Sequence, residues 1–552
     1  MEVACPVAPA DDWVARTAGE VRAEAERRHP GRPPTCASGI SPSGPVHLGN
    51  LRELMVPHLI ADEIRKQGAP CRHILSWDDY DRLRRVPAGF PESFAEYIGR
   101  PLTAVPDPCG RHANWAEHFK EPLREALTRL GIRVTEISQT QMYTSGAYTE
   151  QIVTAMRRRA DIGAVLGRYQ TKRGAEPDDD DPQTAVYYPF RPYCAACGRD
   201  DTTVTAFDDE TTEITYTCAC GVRVGPVPIA QVAGKLAWKV DWPMRWAYER
   251  VTFEPAGVDH SSPGSSFTVG EELVTEIFGG QMPLHFGYSF VGFTGGSSKI
   301  SSSAGRAPTP ADALKIFEAP LLRWLYARKR PEESITLAFD AAVIRVYDEW
   351  DALTKRVAQG SAGAPAQANF ARASGTAEGP LPVTPRPLPF RTLASVADIT
   401  AGDEAQILRI LRLLTAEDPV RSLDEVRPRL DCAEHWVAEY AAPADRTRVR
   451  DEPDADRLAA LSDSERDALK LLTEGMAADW SLEGLTTLLY GIPKVQRGLA
   501  ISAPPTDDLK AAQRAWFILL YQLLIGKDTG PRLPTLLLAL GQDRIRALLT
   551  PG

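Results

Sequence analysis

The chain has 552 residues, 43% of them apolar and 25% charged, which excludes wholesale disorder and implies about three to four domains at roughly 150 residues each. The start, MEVACPVAPADDW, lacks a basic stretch followed by an apolar one, and no run approaches the roughly eighteen apolar residues of a membrane span, so a cytoplasmic protein with no membrane partner is expected. A net charge of −10 excludes a surface that grips nucleic acid everywhere and leaves local patches: Arg157 to Arg159, Lys355 with Arg356, and the late group Lys527, Arg532, Arg544 and Arg546, each of a kind that more often forms a solvated helix face.

Residues 11 to 29 carry an amphipathic helical pattern, and Pro33-Pro34 lead into Thr35 to Ile40, a short run of strand character. After the turn at Ser41 to Pro45, apolar residues recur at Leu48, Leu51, Met55 and Leu59, the spacing of a helix that stops at Gly68. Cys71 to Trp77 then reads as a second strand ending in the acidic cluster Asp78-Asp79-Tyr80-Asp81. Strand, glycine turn, helix, strand predicts a Rossmann-like parallel sheet with ligands at the carboxyl ends of the strands. Between 185 and 228 the pattern changes to short, threonine-rich alternating segments, expected as a small inserted β module, and the acidic run from Glu176 to Asp181 before it reads as a solvated loop. The β/α pattern resumes near Leu236, and beyond Thr309 the chain turns largely helical. Residues 360 to 390, rich in Ala, Gly and Pro without periodicity, are taken as a flexible linker or loop. The expected domains are therefore a catalytic domain at 12–310 containing the insertion at 185–228, a helical connector at 311–358, a linker at 359–392 and an all-helical domain at 393–552.

Nine cysteines are present, and Cys194, Cys197, Cys218 and Cys220 crowd into one window. Two tight pairs marked by Gly198 and Gly221 give four thiolates, the donor set of a tetrahedral structural Zn²⁺ with no position open for catalysis. The other five read as ordinary buried thiols.

His47-Leu48-Gly49-Asn50 opens the first helix of the sheet unit and has the form of the HIGH signature of class I aminoacyl-tRNA synthetases. Gly49 permits close approach of a nucleotide, the helix N-terminus favours an anion, and His47 can donate to triphosphate oxygens. Ser297-Ser298-Lys299-Ile300-Ser301-Ser302-Ser303 resembles the KMSKS loop of the same class, with Ile in place of Met. Lys299 can meet charge growing on pyrophosphate, while Ser301, Ser302 and Ser303 supply hydroxyl donors.

The intervening segments are similar to class I lysyl-tRNA synthetases: Ser38-Gly39-Ile40-Ser41-Pro42-Ser43-Gly44, SWDDYDRLRRVP at 76–87, PDPCG at 106–110, QMYTSGAYTEQI at 141–152, KVDWPMRWA at 239–247, FEPAGVDHSSPGSS at 253–266 and LLRWLYARKRP at 321–331. Ser41 stands where that family commonly has Thr, and Ser289 replaces a commonly acidic position. The resemblance implies ATP-dependent activation of L-lysine, with Mg²⁺ as the companion of ATP, and transfer to the 2′-hydroxyl of the terminal adenosine of tRNA(Lys). It further implies a zinc-bearing insertion and a helical anticodon-binding domain; a monomer is expected, although the sequence does not itself reveal the oligomeric state. His47, Asn50 and Lys299 would be catalytic, and Gly39, Ser41, Trp238, His260 and Tyr288 would form the amino-acid pocket. Lysine needs an apolar slot and an acceptor for its ammonium, for which Asp78 and Asp259 are the candidates. Two rivals are a ligase that adenylates lysine or an analogue without tRNA and a non-catalytic tRNA-binding regulator; the long helical half argues against the first, and intact His47, Gly49 and Lys299 against the second.

Overall fold

Asp12 opens the first helix, its carboxylate accepting from the Ala15 amide at 3.2 Å, and α1 (Trp13–Arg28) follows. The structure, a computed structural model, describes residues 12–169, 187–258, 266–294, 307–443, 446–504 and 506–550. Strand β1 (Thr35–Ile40) feeds α2 (Leu48–Lys66), which returns to β2 (Arg72–Trp77) lying parallel to β1 from Thr35 opposite Arg72 to Ile40 opposite Trp77. The expected β-α-β unit is thus present. After α3 (Trp115–Arg129), β3 (Thr135–Ser138) adds parallel to β2 on its outer side.

The chain then crosses to the other side of β1. Phe253 bridges Cys36 in parallel, Leu284 bridges Phe253, and the short strands β4 (Ala256–Gly257) and β5 (Gly287–Tyr288) pair in parallel. The spatial order is therefore β3-β2-β1-β4-β5, a doubly wound sheet that reverses direction between β1 and β4. Such a reversal splays the connections apart and leaves a crevice beyond the carboxyl ends of the strands. Helix α4 (Trp238–Glu249) leads into the first residues of this second half.

The inserted module is built from three antiparallel strands, Thr202–Phe207, Glu213–Cys218 and Arg223–Pro228. The strands Phe190–Pro192 and Gly234–Leu236 pair antiparallel on either side of it in the sequence.

Two compact units emerge from the chain. One comprises the described residues of Met1–Leu314 with Ala319–Leu337 and Leu353–Pro382; the other comprises Lys315–Glu318, Ala338–Ala352 and the described residues of Val383–Gly552. Within the second unit the described segments from Phe390–Thr400 to Gln542–Leu549 are helical, including Glu404–Leu414, Asp463–Gly475 and Asp507–Ile525. Its core is leucine-rich, with Leu472, Leu485, Leu520 and Leu537 fully buried.

The linker expectation for 359–392 does not hold. Ala364–Ser374 is a helix, and a tight hairpin of Gly375–Thr376 with Gly379–Pro380 follows. Alanine has the best intrinsic helix propensity, and Pro365 sits in the first turn where its missing N–H costs nothing. The buried Arg372 anchors the segment by pairing with Asp12 at 2.7 Å and Glu63 at 2.9 Å. This segment belongs to the sheet-bearing unit, and the division falls after Pro382. Parts of the expected connector, Lys315–Glu318 and Ala338–Ala352, belong to the helical unit instead.

Candidate active site

The helix that leaves β1 begins with a reciprocal cap. His47 Nδ1 accepts from the Gly49 amide at 3.0 Å, and Asn50 Oδ1 accepts from the His47 amide at 3.2 Å. With Nδ1 committed as acceptor, the neutral imidazole carries its proton on Nε2, which is left to donate outward. Withdrawal of the ring from water holds its pKa below the usual histidine value and keeps that neutral form. Gly49 has a second reason to be glycine: a Cβ there would stand 2.7 Å from His47 Cε1, so any larger residue displaces the capping ring.

Beside this helix mouth lies a cavity of about 190 Å³, which Gly39, Asp78 and Trp238 help to line. Its apolar walls include Trp242 and Trp246, which with Trp238 recur every fourth residue along α4. Trp238 and Trp242 stack with centroids 5.0 Å apart. Tyr288 reaches the site through its hydroxyl, which donates to Glu53 at 3.0 Å, whereas Ser41 lies just past β1 outside the cavity lining. Asp259, His260, Lys299, Ser301, Ser302 and Ser303 fall outside the described residues.

The electrostatics separate the carboxylates sharply. Asp78 lines the cavity, but its oxygen accepts from Arg245 at 2.5 Å, and Arg245 is also paired with Asp241. Arg245 sits over the Trp238 ring at 5.6 Å, so Asp78 serves to fix a wall rather than to await a cation. Among the described residues, Glu53 and Glu254 have no such partner. Glu53 accepts from the Gly39 amide at 3.3 Å and from Tyr288, yet loss of water pushes its pKa up to about 8. Glu254 is buried and accepts from the indoles of Trp242 at 3.1 Å and Trp246 at 2.7 Å, and burial raises it to about 7. Both are far apart in sequence and look like ordinary surface acids there. The recurring tryptophans, with Asp241 and Arg245 on the same stretch, are the signal that was available.

The four clustered cysteines converge, with their sulfurs within 4.8 Å of one another. Cys194 to Cys220 and Cys197 to Cys218 are each 3.7 Å apart, too far for disulfides and close to the roughly 3.8 Å edge of a tetrahedron with Zn–S near 2.3 Å. Burial opposes ionisation of Cys194, but the amides of Cys197 and Ala196 outweigh it and bring that thiol down to about 7. The donor set therefore fits Zn²⁺. A second group, Asp107, Cys109, His112 and His118, also offers ligand atoms within 4.8 Å of one another, a mixed carboxylate, thiol and imidazole set suited to a borderline divalent ion. Asp107 Oδ1 lies 2.9 Å from His118 Nδ1 and Oδ2 lies 3.1 Å from His112 Nδ1. Cys109 is thus exposed and part of a cluster, unlike the buried thiols Cys36, Cys71 and Cys432.

The basic residues singled out in the sequence are largely engaged within the chain: Arg158 with Asp161, Arg159 with Asp209, Lys527 with the Arg446 carbonyl and Arg544 with the Arg450 carbonyl. No described helix is long and apolar enough to cross a membrane.

A doubly wound sheet with a capped helix N-terminus and a cavity of about 190 Å³ at its reversal is the arrangement in which α/β enzymes seat small ligands. The sequence profile described as "tRNA synthetases class I (K)" matches residues 11–376, and the chain belongs to this family. It is 56% identical to the lysine–tRNA ligase of Streptomyces coelicolor over 98% of both chains. Identity to the enzymes so named is 34% for Pyrococcus horikoshii, covering 92% of this chain and 93% of that one, and 32% for Treponema pallidum, covering 94% of each.

Proposed function

We propose that this chain activates L-lysine with ATP, releasing pyrophosphate, and then esterifies the lysyl group to the 3′-terminal adenosine of tRNA(Lys). The observation that carries the reading is the aromatic-walled pocket at the sheet reversal with Glu53, a carboxylate without a cationic partner among the described residues, in its wall. The similarity to lysine–tRNA ligases across nearly the whole chain supports the same conclusion.

Lysine carries an ammonium at the end of four methylenes. Trp238 supplies an aromatic wall for the stem, and Glu53, oriented by Tyr288 and the Gly39 amide, accepts the ammonium. Asp78 acts on this site through Arg245, and Ser41, Asp259 and His260 remain assigned by resemblance to the amino-acid end. The substrate carboxylate, already ionised, attacks the α-phosphate in line, so no general base is required and positioning carries the rate. His47 Nε2 and the opening amides of α2, with Gly49 and Asn50, serve the triphosphate, and Lys299, Ser301, Ser302 and Ser303 are assigned by resemblance to the leaving pyrophosphate. Mg²⁺ accompanies ATP, held mainly by phosphate oxygens. Cys194, Cys197, Cys218 and Cys220 would hold Zn²⁺, which would tie the inserted module together. The helical unit binds the anticodon, and the enzyme works as a cytoplasmic monomer.

Lysine-dependent exchange of pyrophosphate into ATP, followed by charging of total tRNA with each amino acid in turn, tests the proposal. Exchange and charging with lysine alone are expected. Exchange without charging would identify a tRNA-independent ligase, and neither activity would leave an RNA-binding protein.

A further inference from the structure

Helix α2 carries a proline in its interior, Pro57, whose missing N–H deprives the carbonyl four residues back, that of Glu53, of the donor a helix ordinarily supplies. The neighbouring strand answers. Ser38 Oγ donates to the Glu53 carbonyl at 3.1 Å, and the amide of the next residue, Gly39, donates to the Glu53 carboxylate at 3.3 Å. Two consecutive residues of β1 therefore hold Glu53 by its backbone and by its side chain.

Behind Ser38 stands His73 of β2, with Nε2 3.0 Å from the same hydroxyl oxygen. A carbonyl can only accept, so the single serine proton points to Glu53 and the hydroxyl oxygen accepts from His73, which puts the imidazole proton on Nε2. Nδ1 is then the bare nitrogen of the neutral ring, and it is the one that is buried with no partner among the described residues. Burial, and after it the Arg65 guanidinium, holds this histidine down at about 3, so the ring stays neutral. Ser38 and His73 are both buried, and burying such a polar pair costs desolvation that an apolar pair would avoid. Their place beneath Glu53 gives that cost a use.

We propose that Ser38 and His73 are positioning residues for amino-acid recognition: together they hold the proline-freed carbonyl of Glu53 and so fix where its carboxylate meets the lysine ammonium. The proposal rests on the acceptor role given to Glu53 above. His73 sets the direction of the Ser38 proton, Ser38 sets the seat of α2 on β1 at Glu53, and both act through Glu53 rather than on the reacting atoms.

A rescue experiment in the full-length chain tests this, read by pyrophosphate exchange with lysine and ATP varied separately. Ser38→Ala removes the donor and should raise the KM for lysine about fivefold, the worth of one hydrogen bond, with the KM for ATP within roughly twofold of the parent. Adding Pro57→Ala gives α2 a backbone N–H aimed at the same carbonyl, so S38A/P57A should recover most of the lysine KM that S38A loses. His73→Leu should raise the lysine KM in the same way, whereas His73→Gln, whose amide can still donate to Ser38 Oγ, should stay closer to the parent. An unchanged lysine KM in S38A would overturn the proposal. So would S38A/P57A no better than S38A, or a KM for ATP rising in step with that for lysine, since either marks ordinary packing; equal lysine KM values in H73L and H73Q would overturn the part given to His73. An unchanged lysine KM in Glu53→Gln would instead overturn the acceptor role itself, and that variant leaves Ser38, His73 and Pro57 in place, so the two failures are separable.

Discussion

Two buried acidic sites in this molecule answer the same problem in opposite ways. In the helical unit, Glu318 is buried against Arg429 at 2.7 Å, Arg429 also meets Asp351 at 2.9 Å, and Thr384 donates to the remaining Glu318 oxygen at 2.5 Å. Every charge there has a partner within the fold. In the sheet-bearing unit, Glu53 and Glu254 are withdrawn from water and meet, among the described residues, only neutral donors, and burial raises both. A carboxylate left uncompensated costs stability unless a cation arrives from outside. The contrast therefore separates acids that hold the fold together from acids that wait for a ligand.

The largest expected effect is on the first kind. Arg429→Ala strips the counter-charge from Glu318 and should lower unfolding stability in urea by about 3–5 kcal/mol. An effect below about 1 kcal/mol would show that the network is no more than a surface-like pair. On the second kind, Glu53→Gln should leave stability intact or raised while increasing the KM for lysine roughly 10- to 100-fold in pyrophosphate exchange, the worth of a charge-assisted hydrogen bond. A lysine KM within twofold of the parent would remove Glu53 from its role.

The pH profile sharpens the same point. Because Glu53 is raised to about 8, an ammonium binding below that pH must first displace its proton. The lysine KM should fall about tenfold per unit as pH rises toward 8 and then level off, and Glu53→Gln should flatten the profile. The sign for folding is the reverse: the folded state holds this proton more tightly than the unfolded chain, so the empty site loses stability as pH rises from the usual carboxylate range toward 8. The smallest effect concerns the helix mouth. Gly49→Ala forces the His47 ring from its cap and should weaken exchange several-fold, in line with the roughly 1 kcal/mol worth of an N-cap. Unchanged ATP kinetics would show that the cap and the nucleotide contact are independent.

Much of this was readable from the chain alone where local rules dominate. The strand–turn–helix at Thr35 to Lys66 follows from periodicity and a capping pair three residues apart, and the cysteine cluster follows from spacing. Gly39 and Trp238, expected in the amino-acid pocket by resemblance, and Asp78, expected as an ammonium acceptor, line one cavity. What stayed hidden depends on distant pairing. Glu53 lies on a helix whose pattern marks no special position, and only the approach of Tyr288, 235 residues later, distinguishes it. Asp78 looked available because its partner Arg245 lies 167 residues away. The stretch from Ala364 to Ser374 looked structureless because its anchor, Arg372, finds Asp12 and Glu63 at the far end of the sequence.

The tryptophan row along α4 has an optical consequence. Trp238 is only half-buried, stacked on Trp242 and topped by the Arg245 guanidinium, so any ligand entering the cavity changes the solvent around this indole. The cavity thereby carries its own fluorophore, and intrinsic emission can report without a label whether lysine enters it as proposed.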